Sequence, residues 1–140
     1  MTFFVDTNVI VYAASDVGFR DACVTILERV AQAGSGRTST AVFEEVWHLE
    51  RRGRLTGLDG LAAATYDLFT PLLSVTDSIV ARALTLGPSP LGANDRLHVA
   101  TCQDAGIDTI VTVDGDFDGI RGLRRVDPRE PAAVRRLLRS

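Results

Sequence analysis

The sequence predicts an α/β layer fold with a mainly parallel sheet. Two stretches, Thr2-Phe3-Phe4-Val5 and Thr109-Ile110-Val111-Thr112-Val113, are apolar and β-branched without alternation, as strands buried on both faces are. Between them lie segments of helical periodicity, and strands separated by helices build parallel layers. The functional crevice of such a sheet lies beyond the carboxyl ends of its strands. Asp6 and Asp114 each follow directly on one of the two stretches.

Along the chain, Asp6-Thr7-Asn8 interrupts the first run and Val9 to Ala14 continues as an apolar helix. Asp, Thr and Asn all cap helices well, so Asp6 has a structural reading as well as a functional one. Phe19 to Ala33 places Ala22, Cys23, Ile26, Leu27 and Val30 on one helical face, and Gly34-Ser35-Gly36 ends it. Arg37-Thr38-Ser39 reads as a brief strand, with Ser39 or Thr40 as N-cap of a helix over Ala41 to Arg52. At about 100° per residue Val42, Val46 and Leu49 fall within about 60° of one another and form its buried stripe. Glu45 sits on the edge of that stripe, whereas Glu44 points toward solvent with His48 and Arg51. A carboxylate beside the core is costly unless something pairs with it.

Gly53 and Gly57 flank a turn. Leu58 to Phe69 reads as a helix with Leu61, Ala64, Thr65, Leu68 and Phe69 inward, and Pro71 to Val75 as a short strand. Asp77 is expected to cap a helix through Leu86, and Gly87 to Gly92 is the clearest loop. Ala93-Asn94-Asp95 opens a helix that stops at Gly106, with Asp95 in the first turn, where the helix dipole favours an anion. His98, one turn on, reads as a packed, hydrogen-bonded histidine rather than a ligand. Leu123 to Val126 reads as an edge strand, and Asp127 or Pro128 as the start of a C-terminal helix.

With 140 residues, 46% of them hydrophobic, the chain is expected to be one domain, 1–140. No apolar run approaches the roughly 18 residues a bilayer requires, and no export signal is evident, so a cytoplasmic protein is expected. Cys23 and Cys102 are expected to be free thiols. The net charge of −3 hides an acidic body and a basic tail: residues 1–120 carry 8 Arg and 16 acids, residues 121–140 carry 7 Arg and 2 acids. The sequence contains no lysine. That excludes P-loop phosphate binding and Schiff-base chemistry.

If Asp6, Glu45, Asp95 and Asp114 converge, with Asp116 nearby, no lysine neutralises them, and clustered carboxylates resist joint ionisation. A divalent cation resolves this, and oxygen-only donors select Mg²⁺ or Mn²⁺. Phosphodiester hydrolysis suits such a site. Several stretches resemble the four motifs of PIN-domain ribonucleases: Val5-Asp6-Thr7-Asn8-Val9 the first, Ser39 to Val46 with Glu45 in the acidic position the second. Asn94-Asp95-Arg96-Leu97-His98-Val99-Ala100 is similar to the third and Thr112-Val113-Asp114-Gly115-Asp116-Phe117 to the fourth. The small, bare domain looks most like VapC-type toxins of bacterial toxin–antitoxin pairs. The resemblance implies a three-layer α/β/α sandwich, Mg²⁺-dependent RNA cleavage, homodimers and a cognate antitoxin. It also implies that Thr7 or Asn8, together with Thr112, orient the acids through hydrogen bonds.

Because RNA is a polyanion, cations must flank an acidic cleft. Arg51, Arg52 and Arg54 after the Glu45 helix, and Arg121, Arg124 and Arg125 after Asp114, are the candidates. Four alternatives stand beside this reading. Asp114-x-Asp116-x-Asp118-Gly119 opens like a calcium loop, but Arg125 falls where its last acidic ligand belongs. A phosphoaspartyl enzyme would use Asp6 but needs a lysine. A housekeeping RNA-processing nuclease, or a PIN-like module that binds RNA or protein without cutting, would share the same motifs.

Overall fold

The computed structural model describes residues 1–55 and 57–140. The turn read between Gly53 and Gly57 includes Thr56, which lies outside the described residues. Four strands form one sheet in the order β2-β1-β3-β4, every pairing parallel: β1 (Phe3–Val5), β2 (Gly36–Arg37), β3 (Thr109–Val111) and β4 (Arg124–Val126). β1 and β3 are central and wholly buried, which is why their sequences are apolar on both faces. Phe4 stands opposite Ile110 and Val5 opposite Val111, so the two strands end side by side.

The described helices are α1 (Thr7–Ala13), α2 (Arg20–Ala33), α3 (Thr40–Arg52), α4 (Leu61–Phe69), α5 (Asp77–Leu84), α6 (Ala93–Ala105) and α7 (Pro131–Arg139). They cover the sheet as a three-layer α/β/α sandwich. α2 packs on α1 and α7, α6 packs on α5 and α3, and α4 packs on α3. Phe3, Phe4, Ile10, Ile26, Ile110 and Phe117 are among the largest fully buried side chains of the core. Gly36 lets β2 pass beneath α2, because a Cβ there would overlap the Val30 side chain. Burial pushes the Cys23 thiol up to about 11, with the Asp127 charge adding to it, and burial likewise pushes Cys102 up to about 12. Both are free, as expected.

Several boundaries differ from the sequence reading. α4 begins at Leu61, because Gly60 takes a left-handed φ of 79° just before it. Ala62 rather than Ala64 faces inward. Pro71 to Val75 reduces to one bridge, Ser39 to Leu73. Thr76, not Asp77, caps α5, its hydroxyl accepting from the Ile79 N–H, and that helix ends at Leu84. The C-terminal helix starts at Pro131, since the Asp127 carboxylate accepts the Arg129 N–H and holds a turn instead of opening the helix.

Candidate active site

The site is built where β1 and β3 end together. Asp6 follows β1 and caps α1, and its Oδ1 accepts the Thr7 N–H at 2.8 Å. Its Oδ2 accepts the Thr112 hydroxyl at 2.8 Å and the Asn8 amide at 3.2 Å. Asn8 also donates to Thr112 Oγ1, and its own carbonyl accepts the Val113 N–H at 3.2 Å. Cap and site are therefore one residue. Asn8 and Thr112 supply the side-chain hydrogen bonds, whereas Thr7 contributes its backbone N–H and its buried hydroxyl has no partner among the described residues.

A cleft of about 500 Å³ opens over this network, lined by Asp6, Asn8, Tyr12, Glu45, Asp95 and Asp114 among others. Four carboxylates from four chain segments thus face one space. A larger groove, about 710 Å³, lies between α5 and α6 but is lined by Val80, Leu84 and other mostly apolar residues. Asp116 is exposed and does not line the cleft; its N–H donates to Asp114 Oδ1 at 2.9 Å. Glu44 is exposed while Glu45 is partly buried, as the helical geometry requires.

His98 is the residue whose place sequence reasoning undervalued. Its side chain is fully buried against the Phe4 ring, with Nε2 at 2.8 Å from Glu45 Oε1 and 3.7 Å from Asp6 Oδ1. Its Nδ1 is buried without a partner among the described residues. Asp6, Glu45 and His98 each offer a ligand atom within 4.8 Å of the others. The only sequence signal for this was the spacing of three between Asp95 and His98, one turn of the same helix.

The charges are strongly coupled. Burial pushes the Asp6 carboxyl above its ordinary value against the pull of His98 and its hydrogen bonds. Burial first, then the Asp6 and Asp114 charges, push Asp95 up to about 6. Burial alone would lower the His98 imidazole, but the Glu45 hydrogen bond and the charges of Asp6, Glu45 and Asp95 raise it above its ordinary value. Oxygen donors that resist ionisation together fit a hard divalent cation, which would relieve their repulsion.

The arginines divide. Arg51, Arg52 and Arg54 are exposed beside Leu49 and Leu55, which line the cleft, and none pairs with a carboxylate among the described residues. Arg121, Arg124 and Arg125 do not border the cleft freely, contrary to expectation. Arg124 stands opposite Thr109, at the strand ends remote from Asp6, and reaches the Met1 sulfur. Arg121 lines a separate cavity with Gly106 and Asp108, residues that precede β3. The Arg125 guanidinium is held by Asp118 at 2.8 Å and Asp127 at 3.0 Å.

Asp127 is itself a packing device for the tail. Burial works to raise its carboxyl, but hydrogen bonds from Arg129 and Arg125 overcome this and hold it at about 2. A depressed carboxyl stabilises the fold above its unfolded value near 3.8 and loses that contribution as pH falls toward 2. With allowance for the half-exposed Arg129 partner, this is worth about 1–2 kcal/mol. Asp127→Asn is expected to lower the denaturation midpoint at pH 7 and to flatten the acid limb between pH 4 and 2, measured by urea unfolding across pH.

A parallel α/β domain with a carboxylate cluster at its central strand ends is the class that fold and site define. The chain belongs to the PIN-domain family, whose model matches residues 3–123. No curated protein matches the sequence significantly. Among solved structures it is similar to a toxin–antitoxin complex from Klebsiella pneumoniae, at 22% identity and TM-score 0.69 over 91% of this chain and 98% of that one. It is also similar to Mycobacterium tuberculosis VapC20, a sarcin–ricin loop cleaving toxin, at 21% identity and TM-score 0.68 over 86% and 95%. VapBC2 from Rickettsia felis, bound to a promoter DNA fragment, matches at 17% identity and TM-score 0.68 over 91% and 98%.

Proposed function

We propose that this chain is a Mg²⁺-dependent endoribonuclease, the toxin of a toxin–antitoxin pair. The observation that carries the reading is the convergence of Asp6, Glu45, Asp95 and Asp114 on one cleft without a lysine to balance them. Family membership and the similar toxins support the choice of chemistry and substrate.

Asp6, Glu45, Asp95 and Asp114 would hold the metal, Mg²⁺ or Mn²⁺, with Asp116 acting only through the turn it shares with Asp114. The bound ion supplies charge for the substrate phosphate and acidifies a water. The protein's own share is orientation. Asn8 and Thr112 fix the Asp6 carboxylate, and His98 fixes Glu45, so these side chains need little reorganisation during the reaction. Arg51, Arg52 and Arg54 flank the cleft on the α3 side as candidate RNA contacts.

The partner reading follows from the same charge. An antitoxin that inserts an arginine among the acids would cap the cleft with charge-assisted hydrogen bonds. Exposed Val80 and Leu84 on α5 support a homodimer. No described helix is long and apolar enough to cross a membrane, and a cytoplasmic site of action accords with the proposed role. The test is cleavage of total RNA with Mg²⁺, Mn²⁺ or EDTA. Fragments are expected only with metal, and intact RNA under every condition would leave a binding module as the better reading.

A further inference from the structure

Arg129 lies beyond the residues that the PIN-domain model matches, yet its guanidinium is tied to the chain segment that carries Asp114. Its Nη2 donates to the Val113 carbonyl at 2.9 Å, and the N–H of the same Val113 is held by Asn8. The cation is therefore anchored to the residue that precedes Asp114, one of the acids lining the cleft. Asp127 grips it from below, accepting from Nε at 3.0 Å and from Nη2 at 2.7 Å. The remaining amino group, Nη1, has no partner among the described residues, and the side chain is 51% exposed. This differs from Arg125, whose two carboxylates use its guanidinium on both edges and whose side chain is only 13% exposed.

We propose that Arg129 forms a phosphate subsite that holds the substrate RNA backbone opposite the Arg51–Arg54 cluster; this rests on the ribonuclease reading. Four carbonyl and carboxylate contacts fix the guanidinium before substrate arrives, so little rotamer entropy is lost on binding. The unpartnered Nη1 of a half-exposed side chain suits a phosphodiester oxygen, through a charge-assisted bond. The position also answers the electrostatic difficulty of the cleft. A polyanion approaching four carboxylates needs fixed cations on both flanks, and on the β4 side Arg129 supplies one.

The test uses the full chain carrying Asp6→Asn, so that a fluorescein-labelled single-stranded RNA oligonucleotide of mixed sequence stays intact. Binding is followed by anisotropy over a series of salt concentrations. Adding Arg129→Gln is expected to weaken binding about 3- to 10-fold, and to flatten the slope of log affinity against log salt by about 0.7, the value of one lost phosphate contact on a single strand. Arg129→Lys should keep most of the slope. Mn²⁺ affinity, measured by electron paramagnetic resonance on Arg129→Gln without the Asp6 change, should stay within about twofold of wild type. Arg125→Gln also disturbs Asp127 but leaves the unpartnered Nη1 in place, so it should leave the slope unchanged. An unaltered slope in Arg129→Gln overturns the subsite, as does an equal loss in Arg125→Gln. If the Asp6→Asn protein binds no RNA and the wild type cuts none, the ribonuclease reading falls with it; binding that ignores Arg129 removes the subsite alone.

Discussion

Asp6→Asn is expected to abolish metal-dependent RNA cleavage, a fall of about 10³-fold or more, while raising the melting temperature of the metal-free protein. The activity loss follows from removing one charge of the cluster at nearly constant volume, a change worth several kcal/mol where a metal organises the reaction. The stability gain follows from burial. The Asp6 carboxyl is held above its ordinary value, and Asp95 is raised to about 6, partly by the Asp6 charge. A carboxyl raised in the folded state favours folding below its unfolded value near 3.8 and loses that contribution as pH rises through the folded value. The metal-free wild type should thus weaken between pH 4 and about 6, and the variant should weaken less. Its advantage in melting temperature should be small at pH 4 and larger at pH 7. Mn²⁺ should restore the wild type and leave Asp6→Asn unaffected. A variant less stable than the metal-free wild type at pH 7 would show that the hydrogen bonds of Asp6 outweigh its charge.

His98→Leu is expected to weaken metal binding by about 10- to 100-fold, the range found when a group that orients a ligand is removed. His98 Nε2 is 2.8 Å from Glu45 Oε1, and the carboxylates around the imidazole raise it, so Nε2 carries the proton that Glu45 accepts. Leucine fills much of the volume but leaves the Glu45 carboxylate without its donor, free to turn from the cleft. His98→Gln places an amide donor near the position of Nε2 and should recover most of the affinity. Calorimetric Mn²⁺ titration of both variants, with melting curves as control, separates the cases. Equal losses in His98→Gln and His98→Leu would point to direct ligation by the ring, and no loss in either would make His98 a packing residue alone.

Much of the site was legible in the sequence because local rules govern it. The double-buried strands are set by composition and length, Ser39 and Gly34 mark helix ends by capping chemistry, and the 100° step separates Glu45 from Glu44. Asp6 was legible for the same reason: a carboxylate directly after a buried parallel strand has few places to go but the strand end. The tertiary structure decided what depends on partners distant in sequence. His98 meets Glu45 across 53 residues, and Thr112 meets Asp6 across 106. No periodicity encodes either contact. The tail arginines show the same limit. Their number predicted a basic tail, but parallel pairing carried Arg124 to the remote strand ends, and Asp118 and Asp127 bound Arg125. Arg129 instead holds the Val113 carbonyl beside Asp114, because charge is a property of the sequence whereas its direction is set by packing and hydrogen bonds.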